Sequence, residues 1–351
     1  MAPAQGALTG ARARAITRSA CGILVLFGSL VAGDGAAAAG EPVTIRSGYT
    51  VMISGYSPIV LEKKDILKHY GSSYLLDPRH FQSTSLELSA LAAGEADIVS
   101  IGYSTFAVAV LNAHLSDIRI VADANEDGAE GHRSVPFLVR NDGRIQKVED
   151  LKGKVVATNG AGGAFDVAMR WMLAQHGLQD RRDYTAIETD YANMAPMLLE
   201  RKAALIIGAM PWALNPALQQ NAHVLFTASD ALGRSQMTVM ASRAGFIADH
   251  RAALVDFFED MMAMSRWLRD PAHHAEAVAL AAKLTKQPAE TLDPFLFTAN
   301  DSYVDPRLYP DLDSLQRNIG VMRALGFITG EVEVRNYAEL GLVEEAARRL
   351  D

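Results

Sequence analysis

The sequence is almost without cysteine. Its one thiol, Cys21, lies within the first 40 of 351 residues. If that segment is removed, the rest of the chain has no disulfide, no thiolate metal site and no cysteine nucleophile. Positive charge is also scarce, since 33 Lys and Arg stand against 41 Asp and Glu and the net charge is −8. Nucleic-acid binding needs a concentrated basic face, so the composition does not support that function.

The sequence also lacks the signatures of several enzyme classes. It has no G-x-S-x-G nucleophile elbow. The Gly-rich segment 159–165 (NGAGGAF) follows a predicted strand and opens a helix, but Phe165 stands where a dinucleotide fingerprint needs its last glycine. No Lys-Ser/Thr follows for a P-loop. His273 and His274 have no carboxylate at ligand spacing on the same helix face, so we interpret them as solvated surface. We predict no catalytic residue, no metal and no cofactor.

The N-terminal segment is typical of a secretory signal peptide. Arg12, Arg14 and Arg18 precede the apolar run 20–32, and the small residues of 33–40 (GDGAAAAG) follow it. The run is shorter than the ~20 residues of a membrane-spanning helix. We expect residues 1–39 to be cleaved off, near Ala38 or Ala39, and the mature protein to be periplasmic. A retained N-terminal anchor is the alternative.

The mature chain alternates between strands and helices, which favours an α/β fold. Strands are predicted at 41–49, 74–76, 96–101, 118–122, 135–140, 155–158, 185–188, 203–207, 224–228 and 238–241. Helices are predicted at 58–69, 85–93, 105–114, 164–176, 194–202, 250–268, 272–284 and 312–325. The segments 91–102 and 199–210 lie 108 residues apart, and each is predicted to end a helix and form the strand after it. Two similar α/β lobes are the simplest interpretation.

The segment 81–106 (FQSTSLELSALAAGEADIVSIGYSTF) is the most informative about function. Thr84 is predicted to cap a helix, and Glu87 to complete its capping box. A buried strand follows, and a polar loop, 102–105, leads into the next helix. Ligands of open α/β sheets bind beyond the carboxyl ends of the strands. Asp97, at the head of the strand, is expected to cap a neighbouring backbone.

Polar and aromatic residues at such strand ends form the predicted ligand-binding site. In the first lobe they are Tyr56, Ser57, Ser83, Thr84, Tyr103, Ser104 and Thr105. In the second lobe they are Asn159, Gly162, Gly163, Phe165, Asp190, Tyr191, Met210 and Trp212. Hydroxyl donors and aromatic faces suit a small ligand, but no nucleophile stands beside a base. We therefore predict a site that binds without reacting.

Three segments resemble a known family. The segment 89–102 (SALAAGEADIVSIG), the segment 145–157 (IQKVEDLKGKVVA) and the segment 313–328 (DSLQRNIGVMRALGFI) occur in that order. They are similar to segments of periplasmic substrate-binding proteins of the nitrate, sulfonate and taurine type, a group that includes thiamine-pyrimidine-synthesis-like proteins. The cysteine-rich motif of the pyrimidine synthases in that group is missing here.

The resemblance implies a type II periplasmic-binding-protein fold with two lobes joined by two crossover segments. Lobe I would be 41–139 plus 238–351, and lobe II would be 140–237. It also implies a monomeric solute-binding component that delivers a small molecule to an ABC permease and its ATPase. We expect the ligand to be a small organic anion, such as an alkane or aryl sulfonate, taurine or an aromatic carboxylate.

Roles within the site follow from that expectation. The helix N-termini at Thr84 and Gly163 would receive the anionic head. The organic part would stack on Tyr103, Phe165, Tyr191 and Trp212. Arg133 would supply a countercharge, whereas the predicted polar loop around it, 123–133 (DANEDGAEGHR), is acidic. A neutral heterocycle such as a thiamine-precursor pyrimidine, a periplasmic sensor subunit and an exported enzyme are the alternatives.

Overall fold

The computed structural model describes residues 41–50, 57–113 and 115–350. The predicted signal peptide, 1–39, lies outside the described residues. The described strands are β1 (Val43–Tyr49), β2 (Tyr74–His80), β3 (Ile98–Gly102), β4 (Ile118–Asp127), β5 (Pro136–Arg140), β6 (Val155–Thr158), β7 (Thr185–Glu188), β8 (Ile206–Ile207), β9 (Ala222–Thr227) and β10 (Ser235–Arg243).

The helices are distributed through the remaining described chain. They are α1 (Ser57–Val60), α2 (Thr84–Ala92), α3 (Tyr103–Leu111), α4 (Ala164–Gln175), α5 (Tyr191–Leu199), α6 (Pro216–Asn221), α7 (Ala228–Leu232), α8 (Ala244–Asp249), α9 (Arg251–Arg269), α10 (His274–Thr285), α11 (Ala289–Leu292), α12 (Leu312–Ala324) and α13 (Gly341–Leu350). Among the described residues, no helix combines the length and the apolar character that crossing a membrane requires.

The strands build one large sheet and a second group of smaller sheets. The large sheet has the order β2-β1-β3-β10-β4, with β1, β2 and β3 parallel and β10 antiparallel to both of its neighbours. The second group consists of the antiparallel sheet β8-β5-β9 and the parallel pair β6-β7. The chain leaves the large sheet through β4 and returns through β10. Residues 128–135 and 228–234 are therefore the two crossover segments, and the predicted α/β fold with two lobes is confirmed.

We call the part built on the large sheet the first lobe and the part built on β5–β9 the second lobe. Strand pairing places β5, 136–140, with the second lobe and β10, from residue 235, with the first. The predicted lobe boundaries at 139/140 and 237/238 stay predictions.

Each lobe has its own apolar core. In the first lobe Tyr74, Phe257 and Phe258 are fully buried between the large sheet and α9. Phe106 is buried on the opposite face, under α12. In the second lobe Phe137 stacks on Phe226 at 4.6 Å between ring centroids. Each such side chain contributes about 1.5–3 kcal/mol of burial free energy. These cores hold the strand ends of each lobe in place.

The predicted helix 58–69 is mostly wrong. The α-helix ends at Val60, and a short 3-10 helix, Lys64–Ile66, follows it. The backbone N–H groups of Lys68 and His69 donate to the Asp260 carboxylate at 2.8 and 3.0 Å. A tertiary acceptor on α9 thus takes donors that a continuing helix would have needed.

The acidic segment 123–127 is also not the predicted loop, because β4 continues through it to Asp127. Asp123 and Glu126 are fully buried. Asp123 accepts from the Gln236 amide at 2.6 Å, and Glu126 accepts from Arg234 at 2.6 and 3.1 Å. The strand forms here because Gln236 of β10 and Arg234, just before β10, supply partners for these carboxylates.

The crossover at Gly128 requires glycine. Its φ is +64°, and an added Cβ would lie 2.6 Å from the Ser229 Cβ of the second crossover. We predict that Gly128→Ala lowers the free energy of unfolding by roughly 2–4 kcal/mol, through backbone strain and steric overlap. Gly131→Ala is the matched control, since Gly131 has φ +75° and open space around it. Urea unfolding measures both variants, and equal losses would contradict the proposed overlap.

Candidate ligand-binding site

The N-termini of α2 and α3 bring hydroxyl groups together. Ser83, one residue before the predicted Thr84, caps α2 by accepting from the Leu86 N–H at 3.3 Å. Thr84 opens the helix, and its Oγ1 lies 2.6 Å from Thr105 Oγ1. Ser83 is exposed, and Ser104 is half-buried at the start of α3. Ser83, Thr84, Ser104 and Thr105 therefore lie on two adjacent helix ends.

Glu87 does not complete a capping box, so that prediction is wrong. Its side chain is fully buried, and Oε2 accepts from the Ser100 N–H of β3 at 2.8 Å. Strands β1 and β3 pair at Ser47 and Ile98, two residues before Ser100. The other oxygen, Oε1, is buried without a hydrogen-bond partner among the described residues. Desolvation raises the pKa of Glu87 to about 8.

Tyr103 links the two lobes. Its ring is fully buried, and its hydroxyl donates to the Ala164 carbonyl oxygen, at the start of α4, at 2.8 Å. Burial raises the pKa of this phenol above its ordinary value. A second contact lies nearby, where an added Cβ on Gly162 would be 3.4 Å from the Phe327 ring. The lobes thus touch at the predicted cleft, and the Tyr103 ring packs between them.

The Gly-rich loop before α4 uses its backbone donors within the protein. The Ala161 N–H donates to Glu188 Oε1 at 3.2 Å, and the Gly162 N–H donates to Asp166 Oδ2 at 2.8 Å. The N–H of Gly163, which is the N-cap of α4, donates to the Gly160 carbonyl at 3.1 Å. An anion at this terminus would therefore meet only the N–H groups of the first helical turn. Asn159 is exposed beside the loop.

An aromatic pair lies on the second lobe. Tyr191 and Trp212 stack with ring centroids 5.2 Å apart and an interplanar angle of 23°. Trp212 remains 42% exposed, which leaves one face open. Asp190 is the exposed N-cap of α5, directly before Tyr191. Phe165 is half-buried and packs against the cores of both lobes rather than standing free.

A cation contacts the segment that precedes Trp212. Arg133, in the first crossover segment, places Nη1 3.6 Å from the sulfur of Met210. Met210 is two residues before Trp212 and packs against the core of the first lobe. Among the described residues, no carboxylate forms an ion pair with Arg133. Its backbone N–H is anchored to the Ala299 carbonyl at 2.8 Å.

The remaining predictions about the site divide into three groups. Tyr56 lies outside the described residues, and so does the side chain of Ser57, which opens α1. Asp97 accepts from the Arg46 backbone N–H at 2.8 Å and pairs with its guanidinium, as expected of a capping residue. The role of the other predicted residues in ligand binding stays a prediction. Sequence reasoning missed the buried Glu87, since its inward turn depends on the Ser100 N–H of β3, which only the tertiary structure brings to it.

Solved structures show which fold class this is. The periplasmic aliphatic sulphonate binding protein SsuA from Escherichia coli is 20% identical, with a TM-score of 0.66 over 85% of this chain and 92% of that one. The periplasmic nitrate-binding protein NrtA from Synechocystis PCC 6803 is 16% identical, with a TM-score of 0.67 over 89% and 90%. The fold is therefore that of the two-lobed periplasmic binding proteins.

The same fold also occurs in an enzyme. The desulfurization enzyme DSZB is 12% identical, with a TM-score of 0.64 over 88% of this chain and 100% of that one. No curated protein sequence matches the chain closely enough to count as a relative. The sequence model of the NMT1-like family matches residues 38–282, and the chain belongs to that family. At these identities the shared fold does not decide between binding and catalysis.

The raised pKa of Glu87 predicts how stability depends on pH. Because the folded-state pKa, about 8, lies above the ordinary 4.5, folding takes up a proton between these values. The contribution of protonated Glu87 to the free energy of unfolding is full below pH 4.5. It is lost as the pH rises through 8, by at most about 1.4 kcal/mol per pH unit. Glu87→Gln should remove this slope and unfold at higher urea than the wild type at pH 9.

Exposed Glu95 on the same lobe provides the control. Glu95→Gln should keep the wild-type slope of unfolding free energy between pH 6 and pH 9. If Glu87→Gln and the wild type have parallel slopes, Glu87 is not a buried proton-binding group.

Proposed function

We propose that this chain is the solute-binding component of an ABC import system and captures a small organic anion between its lobes. The anion would be an alkane or aryl sulfonate, taurine or an aromatic carboxylate. Structural neighbours named for binding aliphatic sulphonates and nitrate support an oxyanion ligand. The observation that carries the proposal is the guanidinium of Arg133, which has no carboxylate partner among the described residues and contacts Met210, two residues before Trp212.

Arg133 suits an oxyanion for electrostatic reasons. A guanidinium presents two parallel N–H donors that match the oxygens of a sulfonate or carboxylate. The side chain is half-buried, so its field is screened less than that of a surface arginine. The acidic residues of β4 do not cancel this charge, because Glu126 is already paired with Arg234. Asp127 accepts from Ser134 and from the Val135 N–H.

The organic part of the ligand has a separate platform. The open face of Trp212 provides apolar contact, and Tyr191 holds that ring in place by stacking. Arg133 belongs to a crossover segment, whereas the aromatic pair belongs to the second lobe. A ligand that touches these groups and the hydroxyl pair Thr84–Thr105 of the first lobe would bind the closed state better than the open state. The hydrogen bond from Tyr103 to Ala164 would add to closure.

The arrangement of these groups favours binding over chemistry. Thr84 and Thr105 pair with each other, and neither hydroxyl contacts a histidine or carboxylate in the described part of the chain. A hydroxyl nucleophile needs an adjacent base. We therefore infer that the periplasmic protein, as a monomer, passes its ligand unchanged to a permease driven by an ATPase.

The direct experiment is a ligand panel on refolded, ligand-free protein. Thermal shift and then calorimetry would test ethanesulfonate, benzenesulfonate, taurine, benzoate, nitrate and an uncharged aminopyrimidine. We expect at least one organic anion to stabilise the protein saturably, by about 2.7 kcal/mol at 100 times its Kd. Mass spectrometry should recover that anion unchanged. Failure of every anion to bind, or turnover of the bound one, would refute the proposal.

Arg133 provides a sharper prediction. Arg133→Gln should weaken binding of the best anion about 10- to 100-fold, because a charge-assisted hydrogen bond contributes about 1.5–3 kcal/mol. Arg144→Gln is the matched control, since Arg144 is 68% exposed and its nearest carboxylate is 3.9 Å away. Calorimetry should give the control the wild-type Kd. An Arg133 variant that binds the anion like the wild type would exclude this residue as the countercharge.

A neutral heterocycle is the second candidate, and the Gly-rich loop favours it. Three of the N–H groups that could hold an anion, those of Ala161, Gly162 and Gly163, already have protein acceptors. An uncharged ring would need only the aromatic platform and hydroxyl donors.

Two variants test these candidates, and Arg133→Gln is the one that distinguishes them. Trp212→Ala should weaken either ligand at least 10-fold, because stacking on the open indole face is lost. Arg133→Gln should spare an uncharged pyrimidine and impair an anion. Calorimetry measures the Kd of both ligands for both variants. A Trp212 variant that binds normally would exclude the aromatic platform.

A further inference from the structure

A histidine and two carboxylates meet in the first lobe, away from the predicted cleft. His69 lies in the segment between the 3-10 helix 64–66 and β2, and Asp256 and Glu259 lie one helical turn apart on α9. One potential ligand atom from each residue lies within 4.8 Å of the other two. His69 precedes the N-terminal end of β2, whereas the predicted ligand loops follow the carboxyl ends of strands. The cluster is therefore separate from the proposed anion site.

Two atoms of this cluster are buried without a hydrogen bond. They are His69 Nε2 and Glu259 Oε2, whose nearest polar contact among the described residues is with each other. They face each other at 3.2 Å, and the Glu259 side chain is only 3% exposed. Two zinc ligands at 2.0–2.2 Å from a tetrahedral ion would be roughly 3.3 Å apart, so the gap has the width of a shared cation.

The surroundings hold these side chains in position. Asp260, on the same face of α9, accepts from the backbone N–H groups of Lys68 and His69 and from the Tyr74 hydroxyl at 2.9 Å. Glu259 keeps its second oxygen, Oε1, on Lys68 Nζ at 3.0 Å. The chain thus supplies the outer contacts that orient metal ligands.

The net charge around the cluster is negative, which favours a bound cation. Asp256, Glu259 and Asp260 carry three negative charges, and Lys68 and Arg349 carry two positive ones. Arg349 holds Asp256 at 2.8 Å and lies 3.8 Å from Glu259 Oε2. It is 38% exposed and also bonds to Glu345 at 2.7 Å, so it has a second partner if it moves aside.

We propose that His69, Asp256 and Glu259 bind a divalent transition-metal ion such as Zn²⁺. One imidazole nitrogen with two carboxylates is a donor set for this class of metal rather than for Ca²⁺ or Mg²⁺, which take oxygen ligands. The ion joins the segment before β2 to α9, and Asp256 turns from Arg349 toward it. Its effect is structural, because it bridges segments about 190 residues apart within one lobe.

The test uses tag-free protein treated with EDTA and dialysed. Zn²⁺ and Co²⁺ should each bind once per chain with a Kd of micromolar or lower and raise the Tm, while Mg²⁺ and Ca²⁺ should not. Bound Co²⁺ should show visible absorption typical of a nitrogen- and oxygen-ligated ion. His69→Ala and Glu259→Gln should each weaken binding at least 10-fold.

His274→Ala is the matched control, since His274 faces a single carboxylate, Asp293, at 3.2 Å. This variant should bind Zn²⁺ like the wild type. If His69→Ala fails to fold, Glu259→Gln, which keeps the size of the side chain, decides the matter. The absence of saturable binding below 100 µM, or equal affinity in the wild type and the Glu259 variant, would overturn the proposal.

Discussion

The structure depends on buried carboxylates that have partners across the two strands joining the lobes. Asp123 of β4 accepts from Gln236 of β10 and from the Asp305 N–H at 2.7 Å. Glu126 pairs with Arg234, which precedes β10. A buried carboxylate without such partners would be strongly destabilising, so these contacts select one register for β4 and β10. Because β4 and β10 are the strands that join the lobes, their register also determines the position of the second lobe relative to the first.

The position of the second lobe relative to the first determines which groups of the candidate site remain available to a ligand. Arg133 follows the buried part of β4, and Met210 comes to it from the second lobe. The N–H donors of the glycine-rich loop already bond to Glu188, to Asp166 and to a backbone carbonyl of the loop itself. Hydrogen bonding thus leaves a guanidinium and an aromatic face available, while the loop that looked most suited to an anion is satisfied internally. The free polar groups, rather than the loop motif, are the stronger guide to the ligand.

Local signals predicted much of the fold. The strands β6 and β7 and the start of α4 follow the predicted bounds, because strand alternation, a glycine before a helix and helical periodicity act over a few residues. The predictions that were wrong involve distant partners. The predicted helix does not extend to His69, because Asp260 takes the backbone N–H groups of Lys68 and His69. Glu87 turns inward and accepts from the Ser100 N–H of β3.

The sequence by itself therefore determined the α/β class, the order of the elements and the family, since these rest on short-range patterning and on motifs that survive in linear order. It also placed polar and aromatic residues at strand ends. Only the tertiary structure decided which of those groups are paired, which are buried and which remain free. Partners such as Tyr103 with Ala164, or His69 with Glu259, are brought together by the packing of segments far apart in the chain. The energy of a polar group depends on that pairing, which no local pattern encodes.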